Sequence, residues 1–416
     1  WTPGEFAGMK VNPNVNQKRS FRIKDNTADT LFIDPADGNL NEVATVGDTF
    51  TGVIELNSLR VAGGAGLSVT GQLDVTTDIV VDNATLIATD ISANNLTISN
   101  NGKVSHPTAT TAADYRLTVN AAVGISIDGT SSIDVSGRGY LGGSQGDNDE
   151  NGRTLGNISG STHGSGGSYG GFGVNMAGGT VNAVYGEPAN PKEPGSGGGS
   201  LDGYSSSGSG GGVVRIKSPV ITIDGHILAD GFGGDSRGGG GSGGAVRIDA
   251  GALSGGGTIS TNGGYSSDAG SGGGGRIAVY FDSMGMAKEN LSAMGGQSGG
   301  MIGIHAAASS GGGGGDPSRN GGAGTICLKD SSKPKPDLIV NNGGNDTSNA
   351  TPVAGVPVPG LVSATGGDSP YGQVDVGGGA MISLQGDFTT NGDLALSNTG
   401  LFIDGLLTLS GSLALT

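Results

Sequence analysis

Cysteine, aromatic and basic residues are all scarce in this chain, and each scarcity removes a class of protein. The single cysteine, Cys327, rules out a disulfide framework. It lies in the apolar run Ile326–Cys327–Leu328, where a small thiol fills a strand. Aromatics make up only 4% of the residues, so a core has to be built from Val, Ile and Leu and has to be narrow. Lysine and arginine number 21 against 37 acidic residues; the net charge of −16 repels nucleic acid and anionic membrane surfaces. No apolar run approaches the roughly 18 residues that cross a bilayer, so no transmembrane segment is expected. Neither a sustained 3.6-residue apolar period nor heptads occur, which excludes coiled coils, and no Gly-X-Y triplet persists, which excludes collagen.

What the chain has in abundance is glycine, 88 of 416 residues, in step with short apolar runs. Four stretches align: GGGVVRIKSPVITIDGHILADG (210–231), GGAVRIDAGALSGGGTISTNGG (243–264), GGGRIAVYFDSMGMAKENLSAMGG (273–296) and GGAGTICLKDSSKPKPDLIVNNGG (321–344). The anchors Val214, Val246 and Ile277 recur 32 and 31 residues apart, and Ile227, Ile259 and Leu291 recur 32 and 32 apart. Ile-Asp-Gly also returns at 127–129, 223–225 and 403–405. Within each repeat the apolar residues alternate, as in Val246-Arg247-Ile248, the signature of strands with one buried face. Asn-Gly pairs beginning at Asn101, Asn151, Asn262, Asn320, Asn342 and Asn391 supply turns.

A strand–turn–strand unit of fixed length predicts an all-β chain, specifically a right-handed parallel β-helix (solenoid) with Gly-rich loops and a small N-terminal β cap. Each coil then lies about 4.8 Å above the last, and glycine at the corners permits close approach. The expected organisation is 1–57, an N-terminal β cap; 58–136, regular coils; 137–345, Gly-rich coils with long loops; and 346–416, C-terminal coils. The pattern, carried by GSGGAVRIDAGALSGGGTISTNGG, GSGGGGRIAVYF and YGEPANPKEPGSGGG, resembles the glycine-rich β-helix repeats of large bacterial surface and secreted proteins, the adhesin and autotransporter-passenger-like group. It covers roughly 115–345. The resemblance implies a fold and an extracellular, cell-surface location, and carries over no catalytic residue.

Chemistry-bearing motifs are few. Arg215-Ile216-Lys217 matches the Arg-Ile-Lys element of polygalacturonase-type hydrolases, but no Asp-Asp pair and no Gly-His-Gly accompany it. Arg215 and Arg247 occupy equivalent repeat positions and read as an outward-facing ladder. His106, His163, His226 and His305 share no metal-like spacing. Asp147, Asp149 and Asn151, followed by Gly152, match the start of a calcium loop, although Ile158 stands where the closing glutamate would be. Calcium is therefore the one cofactor the sequence suggests, and the rival reading of this segment is a solvated acidic loop. Tyr140, Tyr169, Phe172, Tyr185, Tyr204, Phe232 and Tyr265 fall in or beside Gly-rich segments, either to pack loops onto the coils or to receive sugar rings or another subunit. Leu401–Thr416 alternates to its last residue and carries only Asp404 as a charge, so Leu413 and Leu415 are expected to meet another copy head-to-tail, or a continuation of the chain. The expected function is a non-catalytic structural or adhesive protein outside the cell. The alternative is a polysaccharide-binding or polysaccharide-degrading β-helix.

Overall fold

The structure, a computed structural model, describes residues 1–298 apart from 18 and 236, then 317–344, 347, 349, 351–354, 371–385, 388–390, 394–397, 399–404, 407–409 and 412–415. Among the described residues there is no α-helix, only strands and four short 3-10 turns. The first strands, β1 (Lys10–Asn12), β2 (Phe21–Asn26) and β3 (Leu31–Ile33), pair antiparallel, and β1 also pairs antiparallel with β4 (Thr51–Leu56). From β4 onward the pairing changes character. The chain runs through β5 (Leu59–Ala62), β6 (Gly66–Ser68), β7 (Gln72–Val75), β8 (Asp78–Asp82) and β9 (Thr85–Ile87), with β7 parallel to β4, β8 to β5 and β9 to β6. It visits three ladders in turn and then returns to the first.

That order continues through β10 (Asp90–Ser99), β11 (Lys103–Ser105), β12 (Leu117–Ile127) and β13 (Ser132–Asp134). After a small hairpin of β14 (Arg153–Thr154) and β15 (Ile158–Ser159), it resumes with β16 (Val213–Ile223), β17 (His226–Leu228), β18 (Ala245–Ser254), β19 (Thr258–Ser260), β20 (Arg276–Met284), β21 (Leu291–Ser292) and β22 (Thr325–Asp330). From β10 to β20, the first two strands of each unit fuse into one long strand; the pairing carries a register shift after Ala93 in β10 and after Asn120 in β12, and from β16 to β22 it runs without one. The first ladder, β4-β7-β10-β12-β16-β18-β20-β22, is parallel throughout, and eight strands at about 4.8 Å a step stack to about 34 Å. The third, β6-β9-β11-β13-β17-β19-β21, is equally parallel.

The repeat anchors are direct partners: Val214 faces Val246 and Val246 faces Ile277, while Ile227 faces Ile259 and Ile259 faces Leu291. Alternation turns one residue in two inward, and these inward residues form a single buried cluster running from Val61 to Leu328. The Ile-Asp-Gly turn binds one unit to the next. Asp128 accepts from the Asn100 amide (2.7 Å) and from the Thr130 amide and hydroxyl (3.0 and 2.9 Å). Its slight burial opposes ionisation, but these donors and the Ser131 hydroxyl outweigh it and hold the carboxyl at about 2. The Asp224 carboxylate likewise accepts from Gly256 N (3.1 Å).

Beyond β22 the chain reverses. β23 (Asp337–Asn341) pairs antiparallel with β22, and a second buried cluster forms around Leu338, Val340, Val374, Ile382 and Leu394. Here β24 (Thr351–Ala354), β25 (Val374–Gly377), β26 (Met381–Gln385), β27 (Phe388–Thr390), β28 (Leu394–Leu396), β29 (Gly400–Asp404), β30 (Leu407–Leu409) and β31 (Leu413–Leu415) again form three parallel ladders: β23-β25-β28-β31, β24-β26-β29 and β27-β30.

The Gly-rich segments differ from the expected loops. They run as extended rows, and their amides are satisfied by neighbouring rows in a three-residue rotation. In 239–244, Gly239 and Ser242 donate to Gly199 and Ser196 (2.9 and 2.8 Å). Gly240 and Gly243 donate to Gly270 and Gly273 (both 2.9 Å), and Gly241 and Gly244 to Phe232 and Ala229 (2.9 and 2.7 Å). The row 270–275 repeats the scheme: Gly270 and Gly273 turn to Gly164 and Gly167, Ser271 and Gly274 to Arg319 and Gly322, and Gly272 and Gly275 to Gly264 and Thr261. A partner that returns every third residue is the mark of the three-residue left-handed helix, which has no internal hydrogen bonds and sends every N–H outward. Such rows pack so closely that a Cβ at Gly199, Gly239, Gly243 or Gly272 would approach backbone atoms nearer than 3.0 Å. Glycine is needed here for lack of space, not for flexibility.

Candidate functional site

The glycine layer is fixed to the outer side of the first ladder, which places the polar side chains of the repeats under cover. Val213, Ala245, Arg276 and Thr325 stand in register across β16, β18, β20 and β22. Val213 and Ala245 join Tyr140, Tyr169 and Tyr185 in one buried cluster. Arg276 is 3% exposed; its Nε and Nη2 donate to the Tyr185 carbonyl (3.0 and 2.9 Å), and its Nη1 donates to Thr325 Oγ1 (3.0 Å). The guanidinium carbon also lies 5.4 Å from the Tyr169 ring centre. Burial lowers the Arg276 pKa and pushes all three tyrosine hydroxyls well above the usual phenol range.

Two register positions further, on the same face, Arg215 faces Arg247. A strap, residues 185–194, lies over both. Arg215 Nη1 donates to the Pro191 carbonyl (2.9 Å) and Arg247 Nη1 to Asn190 Oδ1 (2.9 Å), while the Tyr280 hydroxyl donates to the Ala189 carbonyl (2.7 Å). Arg247 also grips Asp249 through two bonds of 2.8 Å and stacks on Tyr280 at 4.3 Å. The Arg-Ile-Lys element is thus split: Arg215 is committed to the strap, and Lys217 is exposed. The arginine ladder expected from the repeat is present, but it is covered.

His106 is fully buried. Its Nδ1 donates to the Pro107 carbonyl (2.7 Å), and its Nε2 accepts the Val213 amide (3.2 Å). Burial lowers its pKa to about 4, and Arg138 and Arg116 add repulsion, so the ring is neutral and serves β16. Cys327 is buried next to Ala278 in the ladder, and burial pushes its thiol up to about 12, which makes it inert.

The acidic loop places Asp147, Asp149 and Glu150 in solvent and turns Asn148 inward. Asp149 Oδ1 accepts from the Asn151 amide (2.9 Å), and Asn148 Nδ2 donates to the Gly142 and Asn151 carbonyls (2.9 and 2.8 Å). Among the described residues no three His, Cys, Asp or Glu side chains gather in a way that could hold a metal. Asp149, Glu150 and Asn151 line a shallow recess of about 680 Å³ together with the 92% exposed Tyr204. The aromatics of the Gly-rich segments divide accordingly: Tyr140, Tyr169 and Tyr185 pack the layer down, while Tyr204 and Phe232 face water.

A second, larger opening is a groove of about 910 Å³ between the first two ladders, with Lys217, Tyr280, Phe281 and Lys329 among its lining residues. At the far end of the molecule, β31 pairs with β28, and Leu413 is 48% exposed. Reading the sequence alone missed the strap, the buried Arg276 and the role of His106. The signal available for the strap was the proline-rich stretch 185–194 between two glycine rows, with Tyr185 at its head.

No family model and no curated protein matches the chain. Among solved structures, the Tapirin C-terminal domain of Caldicellulosiruptor kristjanssonii aligns with 88% of this chain and 90% of that one at 10% identity. Its TM-score of 0.15 is too low to support an argument about fold or function. Among the described residues no helix is long and apolar enough to cross a membrane.

Proposed function

We propose that the three ladders close into a right-handed parallel β-helix, and that the protein is a non-catalytic extracellular scaffold at a bacterial surface. In this reading it serves as an adhesin module or as a subunit that stacks head-to-tail. The observation that carries the reading is the coupling of two continuous stacks. One is the buried cluster from Val61 to Leu328; the other is the backbone-bonded glycine layer, whose connecting strap 185–194 is clamped to the first ladder by Arg276, Arg247 and Arg215. This construction yields stiffness and spends the polar groups of the repeats on structure. The crossover rule for parallel strands supplies the handedness. Strand β31, which among the described residues pairs only with β28 and leaves Leu413 half-exposed, supports stacking between copies.

Sedimentation and negative-stain microscopy test the assembly part. The parent chain should form end-to-end oligomers at high concentration, and Leu413→Lys with Leu415→Lys should shorten them to monomers. Identical monomeric sedimentation of both chains would remove the filament reading. Screening for reducing ends and unsaturated products on acidic polysaccharides tests the non-catalytic part. Turnover lost on changing Arg215 or Lys217 would instead establish a polysaccharide-degrading enzyme.

A further inference from the structure

The groove between the first two ladders is built differently from the rest of the surface. Its floor is made midway along the long strands, and the same positions recur from strand to strand: Ala93 faces Ala121 across β10 and β12, and Ser218 faces Ala250 across β16 and β18. One wall is the register row in which Asn120, Lys217, Asp249, Tyr280 and Lys329 follow one another. The groove draws on six strands, β10 to β22, and so is about 24 Å long at about 4.8 Å a step. A periodic, open trough with an apolar floor and polar rim suits an extended polymer whose repeat is near that step, and a pyranose unit has such a length.

The chemistry of the walls narrows the class. Lys217 and Lys329 are balanced by Asp249 and Asp282, so the groove carries no net charge, and the chain's −16 opposes polyanions. A peptide strand has no edge to join, because each bounding strand is already paired on both sides. What remains is an uncharged chain of rings. Its C–H faces can lie on Ala122, Pro219 and Phe281, and its hydroxyls can reach the Lys217 ammonium and the Asn120 amide. We propose that this groove binds an extended, uncharged polysaccharide. The proposal rests on the adhesive reading for its biological sense, but it needs only the stacked ladders, not their closure or the assembly of copies.

Affinity electrophoresis of the full chain tests it, in gels containing soluble mixed-linkage glucan, xyloglucan, galactomannan or arabinoxylan, with polygalacturonate as the acidic comparison. At least one neutral polymer should retard the parent protein. Ala122→Trp and Pro219→Trp, at two exposed positions on the floor, should weaken that retardation by about tenfold or more while leaving the melting temperature in place. Lys217→Ala, which removes an exposed side chain outside the packed core, should weaken it as well and serves if either tryptophan variant misfolds. Unaltered migration of the parent protein in every neutral gel, retardation by polygalacturonate alone, or full retardation of the folded variants would overturn the proposal. None of these outcomes bears on the sedimentation of Leu413→Lys with Leu415→Lys, so the groove and the assembly reading fail separately.

Discussion

Replacing Gly199 with alanine should destabilise the protein far more than the same change at Gly256. A Cβ at Gly199 would lie 2.6 Å from the Ser161 carbonyl oxygen and 2.7 Å from two backbone carbons of Thr162, whereas ordinary contact begins at 3.4 Å. Every obstacle is backbone, so no side chain can swing aside, and the row must move by about 0.8 Å (3.4 less 2.6). Gly199 donates to Ser165 O and accepts from Gly239 N, both at 2.9 Å, and the shift strains the two bonds together. Overpacking of this kind costs about 1–3 kcal/mol, and two weakened bonds add about 1–2 kcal/mol, against a gain of at most about 1 kcal/mol from the stiffer unfolded chain. The net expectation is a loss of about 1–5 kcal/mol. At Gly256 nothing lies within 4 Å of the added methyl and the backbone is not left-handed, so alanine should leave stability unchanged or raise it by up to about 1 kcal/mol. Urea titrations followed by circular dichroism, with slopes compared to confirm a common transition, measure both. Equal midpoints for the two variants would refute the close-packed layer and return these glycines to the status of flexible loop residues.

Acid should act through His106. Its pKa is about 4 when folded and about 6.5 when unfolded, so only the unfolded chain takes up a proton as pH falls between these values. Stability is therefore lost from about pH 6.5 down to about pH 4 and then levels, by about 3 kcal/mol in all. His106→Gln should flatten this part of the pH profile relative to the parent, and parallel profiles would count against a buried neutral ring. The acidic loop gives a third expectation: if Asp147, Asp149 and Asn151 hold calcium, chelation by EDTA should lower the melting temperature, and Asp149→Ala should abolish that sensitivity. Melting curves unmoved by chelator would leave the segment as a solvated loop.

Local chemistry determined the ladders. Alternation in Val246-Arg247-Ile248 selects strands, and a spacing of 31–32 residues brings Val214, Val246 and Ile277 into one row, because parallel stacking demands that equivalent residues meet. The outward pairing of Arg215 with Arg247 and the burial of Cys327 follow from the same arithmetic. The glycine layer did not follow. A glycine row has no side-chain period to read, and its hydrogen bonds go to partners as remote as Gly199 and Gly270, so in sequence it is indistinguishable from a linker. The strap was hidden for a related reason: Asn190 precedes the strands it clamps, and its bonds to Arg215 and Arg247 exist only once β16 and β18 have stacked. The groove, too, is a product of assembly, since small residues such as Ala121, Pro219 and Gly251 become a floor only when successive long strands are laid side by side. Periodic side chains thus specified which strands pair, while contacts made by backbone alone, or between units far apart in the chain, were decided by the tertiary structure.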